Sequence, residues 1–109
     1  MATTVGDNAG AQRFEVTVDG ELAGFTEYVQ RANAREFPHT LIEPRFRNRG
    51  LGATLIHAAL DATKSAHMEV LPSCWFVRDY IAEHPDEYLA LVPSAERARF
   101  GLDMPGSQP

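Results

Sequence analysis

Cysteine is almost missing: Cys74 stands alone in a chain of 109 residues. No internal disulfide can form, and a cysteine-based zinc cluster is excluded. A reducing, cytoplasmic setting is the expectation that follows. Long apolar runs are missing too, since none approaches the ~20 residues needed to span a bilayer. The opening stretch, residues 1–10, lacks the charged and apolar regions of a secretory signal, so no membrane role is expected. Basic charge is not in excess: 15 acidic residues against 10 lysines and arginines leave a net charge of −5, which argues against a general nucleic-acid binder. The 4 histidines are scattered without carboxylate-rich spacing and predict no metal site. No internal repeat or low-complexity domain is visible.

What remains is an ordinary globular composition, 44% hydrophobic and 23% charged. A chain this short has the mass for one domain around one core. Residues 1–12 are small and polar and are expected to lie loose. Over residues 13–18, Phe14, Val16 and Val18 alternate with polar residues at the period of a half-buried strand. Asp19-Gly20 then reads as a type I′ hairpin turn, in which both central residues need positive φ. A second strand over 21–31 carries Gly24, a candidate bulge or close-contact site. In the third, 35–42, Pro38 cannot donate to a ladder and predicts an edge strand or, preferably, a bulge.

A helix is expected over 50–65, with Leu51, Leu55, Ala58, Ala59 and Ala62 on one side and Ile56 and Leu60 widening that face. Residues 68–71 read as a strand after this crossover, parallel to the preceding one and right-handed. A second helix is expected over 74–84, with Ser73 as N-cap and Pro85 as stop. The fold class is therefore α/β (α+β), a mixed sheet of antiparallel N-terminal strands followed by one β-α-β unit and a further helix. The domain is placed at 13–92. Residues 93–109 are expected to form a partly ordered tail anchored by Phe100, Leu102 and Met104.

The stretch that organises this chain runs from residue 43 to residue 60. Arg45, Arg47 and Arg49 crowd against Gly50 and Gly52, and helical spacing begins at Leu51. Glycines allow close backbone approach, and the free N–H groups of a helix's first turn favour an anion. A phosphate or pyrophosphate suits that place.

Arg47-Asn48-Arg49-Gly50-Leu51-Gly52 resembles the Arg/Gln-x-x-Gly-x-Gly/Ala pattern of the GNAT superfamily of N-acetyltransferases, and it lies between a strand and a helix as it does there. Small stand-alone GNAT-like proteins are similar in three further elements: Phe37-Pro38-His39-Thr40, Pro72-Ser73-Cys74, and His84-Pro85-Asp86-Glu87-Tyr88. The resemblance implies a compact GNAT-like fold that takes acetyl-coenzyme A as co-substrate and acetylates an amine acceptor, which it does not identify. It places the pyrophosphate on Arg47, Asn48, Arg49, Gly50, Leu51 and Gly52, and the pantetheine arm along the backbone of Leu41 and Ile42. The region before the glycine turn has no room for the helix pair that shapes the acceptor pocket in full-length enzymes. A non-catalytic coenzyme A-binding module is therefore the alternative.

Two residues are candidates for catalysis. Cys74, at a predicted helix start where the dipole favours thiolate, lies by resemblance near the thioester. It could attack that group or assist direct transfer, and it could equally be an inert buried thiol. His39 is the candidate general base, histidine being the side chain suited to that role near neutral pH, or makes a structural hydrogen bond beside the strand break. Tyr80 offers a proton for the departing thiolate or plain core packing, and the spacing favours packing. Trp75 either walls the thioester pocket or fills the core.

Overall fold

The computed structural model describes residues 2–102. A five-stranded sheet runs in the order β1-β2-β3-β4-β5. Its strands are β1 (Thr3–Asn8), β2 (Arg13–Val18), β3 (Glu21–Arg31), β4 (Ala34–Ile42) and β5 (Glu69–Leu71). The helices are α1 (Leu51–Ser65), α2 (Trp75–Glu83) and α3 (Pro85–Tyr88), with short 3-10 turns at Pro44–Phe46, Leu89–Leu91 and Ser94–Glu96. The first four strands are antiparallel and β5 is parallel to β4, which gives the mixed sheet expected from the sequence.

Residues 3–8 are not loose but form the edge strand β1. Their only large apolar residue is Val5, too little for a periodic signal. Main-chain pairing with β2, opposite Val18 to Arg13, holds them instead. Tyr28 reinforces the edge by donating its hydroxyl to Asp7 Oδ1 at 2.8 Å, a long-range bond that no local pattern announces. At the hairpin, Asp19 (φ 51°) and Gly20 (φ 85°) are both left-handed, as a type I′ turn requires.

The bulge expected near Pro38 is present. Glu27 lies opposite His39 while Val29 lies opposite Glu36, so Phe37 and Pro38 together face Tyr28. Immediately before it, Ala34 to Glu36 pair with β5. Beyond it, β4 and β5 part. The Cys74 N–H closes the fork by donating to the Phe37 carbonyl at 2.7 Å.

The helices pack on the sheet face that carries Phe14, Val16, Tyr28 and Phe37, and they share one core with it. From α1, Leu51, Leu55, Ile56, Ala59 and Leu60 enter this core, while Ala62 packs at its margin. Alternation puts Glu15, Phe25, Glu27 and His39 on the other face. Cys74, not Ser73, occupies the N-cap position of α2, and no side chain caps this helix. Ser73 is diverted by a stronger acceptor, since its hydroxyl donates to Glu36 Oε2 at 2.5 Å. Past α3 the chain stays in the core, where Val92 and Leu102 are fully buried. Met104 lies outside the described residues.

The His84-to-Tyr88 segment is a latch between α3 and α1. Pro85 opens α3, and the buried Tyr88 hydroxyl donates to Asp61 Oδ1 at 2.7 Å and meets His57 Nδ1 at 2.8 Å. His57 Nε2 lies 3.1 Å from Asp61 Oδ2, closing a triangle. Burial first, and the bond to Asp61 second, raise the Tyr88 pKa above the ordinary tyrosine range. The folded state thus holds this proton at higher pH than the unfolded chain, whose tyrosines titrate near about 10. The stabilisation is complete below that pH and is lost as pH rises toward the folded value. Tyr88→Phe should therefore cost about 1.5–3 kcal/mol at neutral pH, the worth of hydrogen bonds to charged groups. It should also flatten the alkaline loss of stability in urea titrations run on both sides of pH 10. Wild-type and variant curves that stay parallel through that range would assign the loss to another group.

Candidate functional site

A groove of about 520 Å3 runs from the start of α1 along β4 to the first turn of α2. At one end, Asn48 (φ 64°) and Gly50 (φ 76°) turn the chain in left-handed conformations into α1. Gly50 is the N-cap, has no side chain to satisfy the helix, and has nothing within 4 Å of where a Cβ would stand. Among the described residues, the N–H groups from Asn48 to Ala53 find no acceptor, and the first α1-turn donor that does is Thr54, bonded to the Gly50 carbonyl at 3.2 Å. Open space, unpaired donors and the positive helix end coincide there, as an anion site requires.

The three arginines do not act alike. Arg47 lines the groove and its Nε donates to the Ile42 carbonyl at 3.0 Å. Arg45 instead pairs with Glu21 at 2.8 Å. Arg49 lays its guanidinium over the Phe46 ring, 5.3 Å from the centroid, and lines a separate crevice with Asp19 and Glu21. Phe46 is the buried divider that sequence spacing did not single out. Leu51 and Gly52 line the groove, but Gly52 serves packing as much as ligand approach. A Cβ there would stand 2.2 Å from Phe76 Cζ, so the missing side chain is what lets α2 close on α1.

Strand β4 forms the long wall. The Glu43 N–H donates to the Ala23 carbonyl, and Leu41 lies opposite Phe25 in the same ladder phase, so Leu41 directs its backbone groups at β3. Thr40 and Ile42, in the opposite phase, direct theirs into the groove. Leu41 still contributes to the lining.

Cys74 is buried, and its thiol donates to Thr40 Oγ1 at 3.5 Å. Thr40 in turn shares a 2.8 Å hydrogen bond with the fully buried Thr26. His39 is not part of this chain. Adjacent to Thr40 on the strand, it is exposed on the opposite face of the sheet with its ring edge-on to Phe25 at 6.0 Å. The structure therefore separates the two catalytic candidates by the thickness of β4. Tyr80 does not line the groove; it stacks on His84 at 4.2 Å and faces His57, in keeping with packing. Trp75 is neither core nor enclosed wall but stands 67% exposed at the groove's edge. No group of three or more metal-ligating side chains occurs among the described residues, and no described helix is long and apolar enough to cross a membrane.

These features define a small α/β domain in which a helix start with unpaired N–H groups opens beside a splayed mixed sheet. A family model described as GCN5-related N-acetyl-transferase matches residues 13–91, and the chain belongs to this family. Protein NATD1 of Xenopus tropicalis is 30% identical over 59 residues, which are 54% of this chain and 53% of that protein. The chain thus spans about half the length of that relative. Family membership supports acyl transfer as the general class of activity.

Proposed function

We propose that this protein binds acetyl-coenzyme A in the α1 groove and transfers the acetyl group to an amine. The observation that carries the reading is the run of unpaired N–H groups from Asn48 to Ala53 at the open start of α1, with Arg47 alongside. Pyrophosphate oxygens would accept from these donors. The pantetheine amides would pair with Thr40 and Ile42, whose backbone groups face the groove, in the manner of an added strand. For Ile42 this requires Arg47 to release the carbonyl, an exchange that frees the guanidinium for phosphate. Backbone N–H groups of Arg49, Gly50, Leu51 and Gly52 supply the cradle, while the Arg49 side chain stays on Phe46.

The thioester then lies at the fork near Cys74. No imidazole or carboxylate bonds to the Cys74 thiol among the described residues, so nothing there takes its proton. Direct attack by the amine is accordingly favoured over an acetyl-cysteine intermediate. The amine nitrogen bonds to the acetyl carbon, the carbon–sulfur bond breaks, and the thiolate departs with the electron pair. The proton the amine sheds ends on that thiolate, because His39 lies on the opposite face of β4 and does not line the groove.

Isothermal titration with acetyl-coenzyme A tests the reading. Wild-type protein should bind, and Arg47→Glu should weaken binding by about tenfold or more, the ~1.4 kcal/mol or greater of a lost charge-assisted contact. Arg49→Glu should weaken it less, because its side chain points elsewhere. Absence of heat at high micromolar ligand, or equal affinity for wild type and Arg47→Glu, would sink the proposal.

A further inference from the structure

After α3 the chain folds back across the first turn of α2, and a second groove of about 460 Å3 opens between the two segments. Trp75 stands between it and the α1 groove, since this residue lines both. Such exposure of a tryptophan at the junction of two grooves is more informative than a scattered surface leucine. Phe100 also lines the slot, with the Arg99 guanidinium stacked 4.5 Å from its ring centroid. Arg78 enters from α2, and its Nε is buried with no acceptor among the described residues. Gly101, at φ 71°, makes room for it: a Cβ there would come 3.2 Å from Arg78 Nη1.

The slot therefore offers two guanidiniums and two aromatic side chains. Each arginine has a carboxylate on its own segment, Asp79 for Arg78 and Glu96 for Arg99, both at 2.7 Å. These are partly exposed pairs, worth about 0–1 kcal/mol. A ligand carboxylate in this open slot, accepting two parallel bonds from a guanidinium, can displace them. Ser73 and Trp75, which line the slot, flank Cys74 at the fork of the strands. The slot thus lies next to the fork, on the other side of Trp75 from the first groove.

We propose that this slot holds the acceptor and that the acceptor is an amine that also bears a carboxylate, an α-amino acid or a molecule of that type. Its carboxylate sits on Arg78 and Arg99, its apolar or flat body lies between Trp75 and Phe100, and its amine points to the fork at Cys74. The inference rests on the acetyl-transfer reading. In that reaction the nitrogen's shed proton ends on the released thiol, so no further reactant is needed.

The chain has a single tryptophan, so its fluorescence reports on the slot directly. The full chain, without acetyl-coenzyme A, is titrated with a panel of L-amino acids, each paired with the amine left by its decarboxylation, such as leucine with 3-methylbutylamine and phenylalanine with phenethylamine. At least one acid should shift the emission saturably and bind about tenfold or more tighter than its partner amine. Arg99→Gln, an exposed substitution, should erase that preference. No acid favoured over its amine up to about 10 mM, or a preference that survives in Arg99→Gln, overturns the slot. Retained acetyl-coenzyme A binding in that case leaves the first reading standing. Conversely, an acid preference in a protein that fails to bind acetyl-coenzyme A overturns the acceptor role and the transfer reading together.

Discussion

Phe37→Ala is expected to remove about 3–5 kcal/mol of stability, the range for truncating a buried phenylalanine. Whole domains carry only about 5–15 kcal/mol, so this one ring decides whether the native state is well populated at 37 °C. Phe37 is fully buried and edge-on to Tyr28 at 6.4 Å. It also sits where three demands meet: Pro38 follows it, the bulge begins with it, and its carbonyl receives the Cys74 N–H. Without the ring, the wedge that fixes the fork on the core side is gone, and Cys74 loses its register against Thr40. Urea unfolding should show a large fall in midpoint with little change in slope. Phe37→Leu, which keeps most of the volume, should recover most of the loss. A cost below about 1 kcal/mol for alanine would mean that backbone pairing alone holds the fork, well under what cavity formation requires.

The elements that locality governs were legible. Alternation over 13–18 gave β2 its buried face, the positive φ values at Asp19 and Gly20 are what that dipeptide favours, and Pro38 produced the bulge because a ladder cannot use it. The turn into α1 was legible for the same reason, since glycine and helix onset are adjacent in the chain. What failed to appear in the sequence depends on distant partners. Strand β1 exists through β2 and Tyr28, and Ser73 left the cap because Glu36 is nearby in space. The three arginines are alike in sequence and differ only because Glu21 and Phe46 draw two of them away from the groove. Cys74 and His39 fall on opposite faces because the crossover delivers Cys74 to the Thr40 side, which no spacing encodes. Thr40, Phe46 and Phe76 were missed as groove residues for the same cause.

Gly24 provides the second large effect, and it acts through space rather than backbone freedom. A Cβ at this position would stand 2.5 Å from the Leu41 carbonyl oxygen and 3.1 Å from Ile42 Cα. Both are main-chain atoms of β4, so relief requires moving the strand rather than rotating a side chain. Gly24→Ala gains about 0.4–1 kcal/mol by restricting the unfolded chain, whereas overpacking of this kind costs about 1–3 kcal/mol. A net loss of roughly 1–2 kcal/mol follows for alanine, and a larger one for valine, whose branch adds two further carbons to the same contact. Gly6→Ala is the control, because a Cβ there has nothing within 4 Å; the change should be neutral or slightly stabilising. The displaced segment is also the wall of the α1 groove, lined by Leu41 and Ile42. Gly24→Ala should therefore weaken acetyl-coenzyme A binding as well as folding, while Gly6→Ala should change neither for the worse. Equal stability of the two alanine variants would show that β4 shifts at no cost. The groove wall would then be set by Arg47 and the Ile42 carbonyl, not by the closeness of β3.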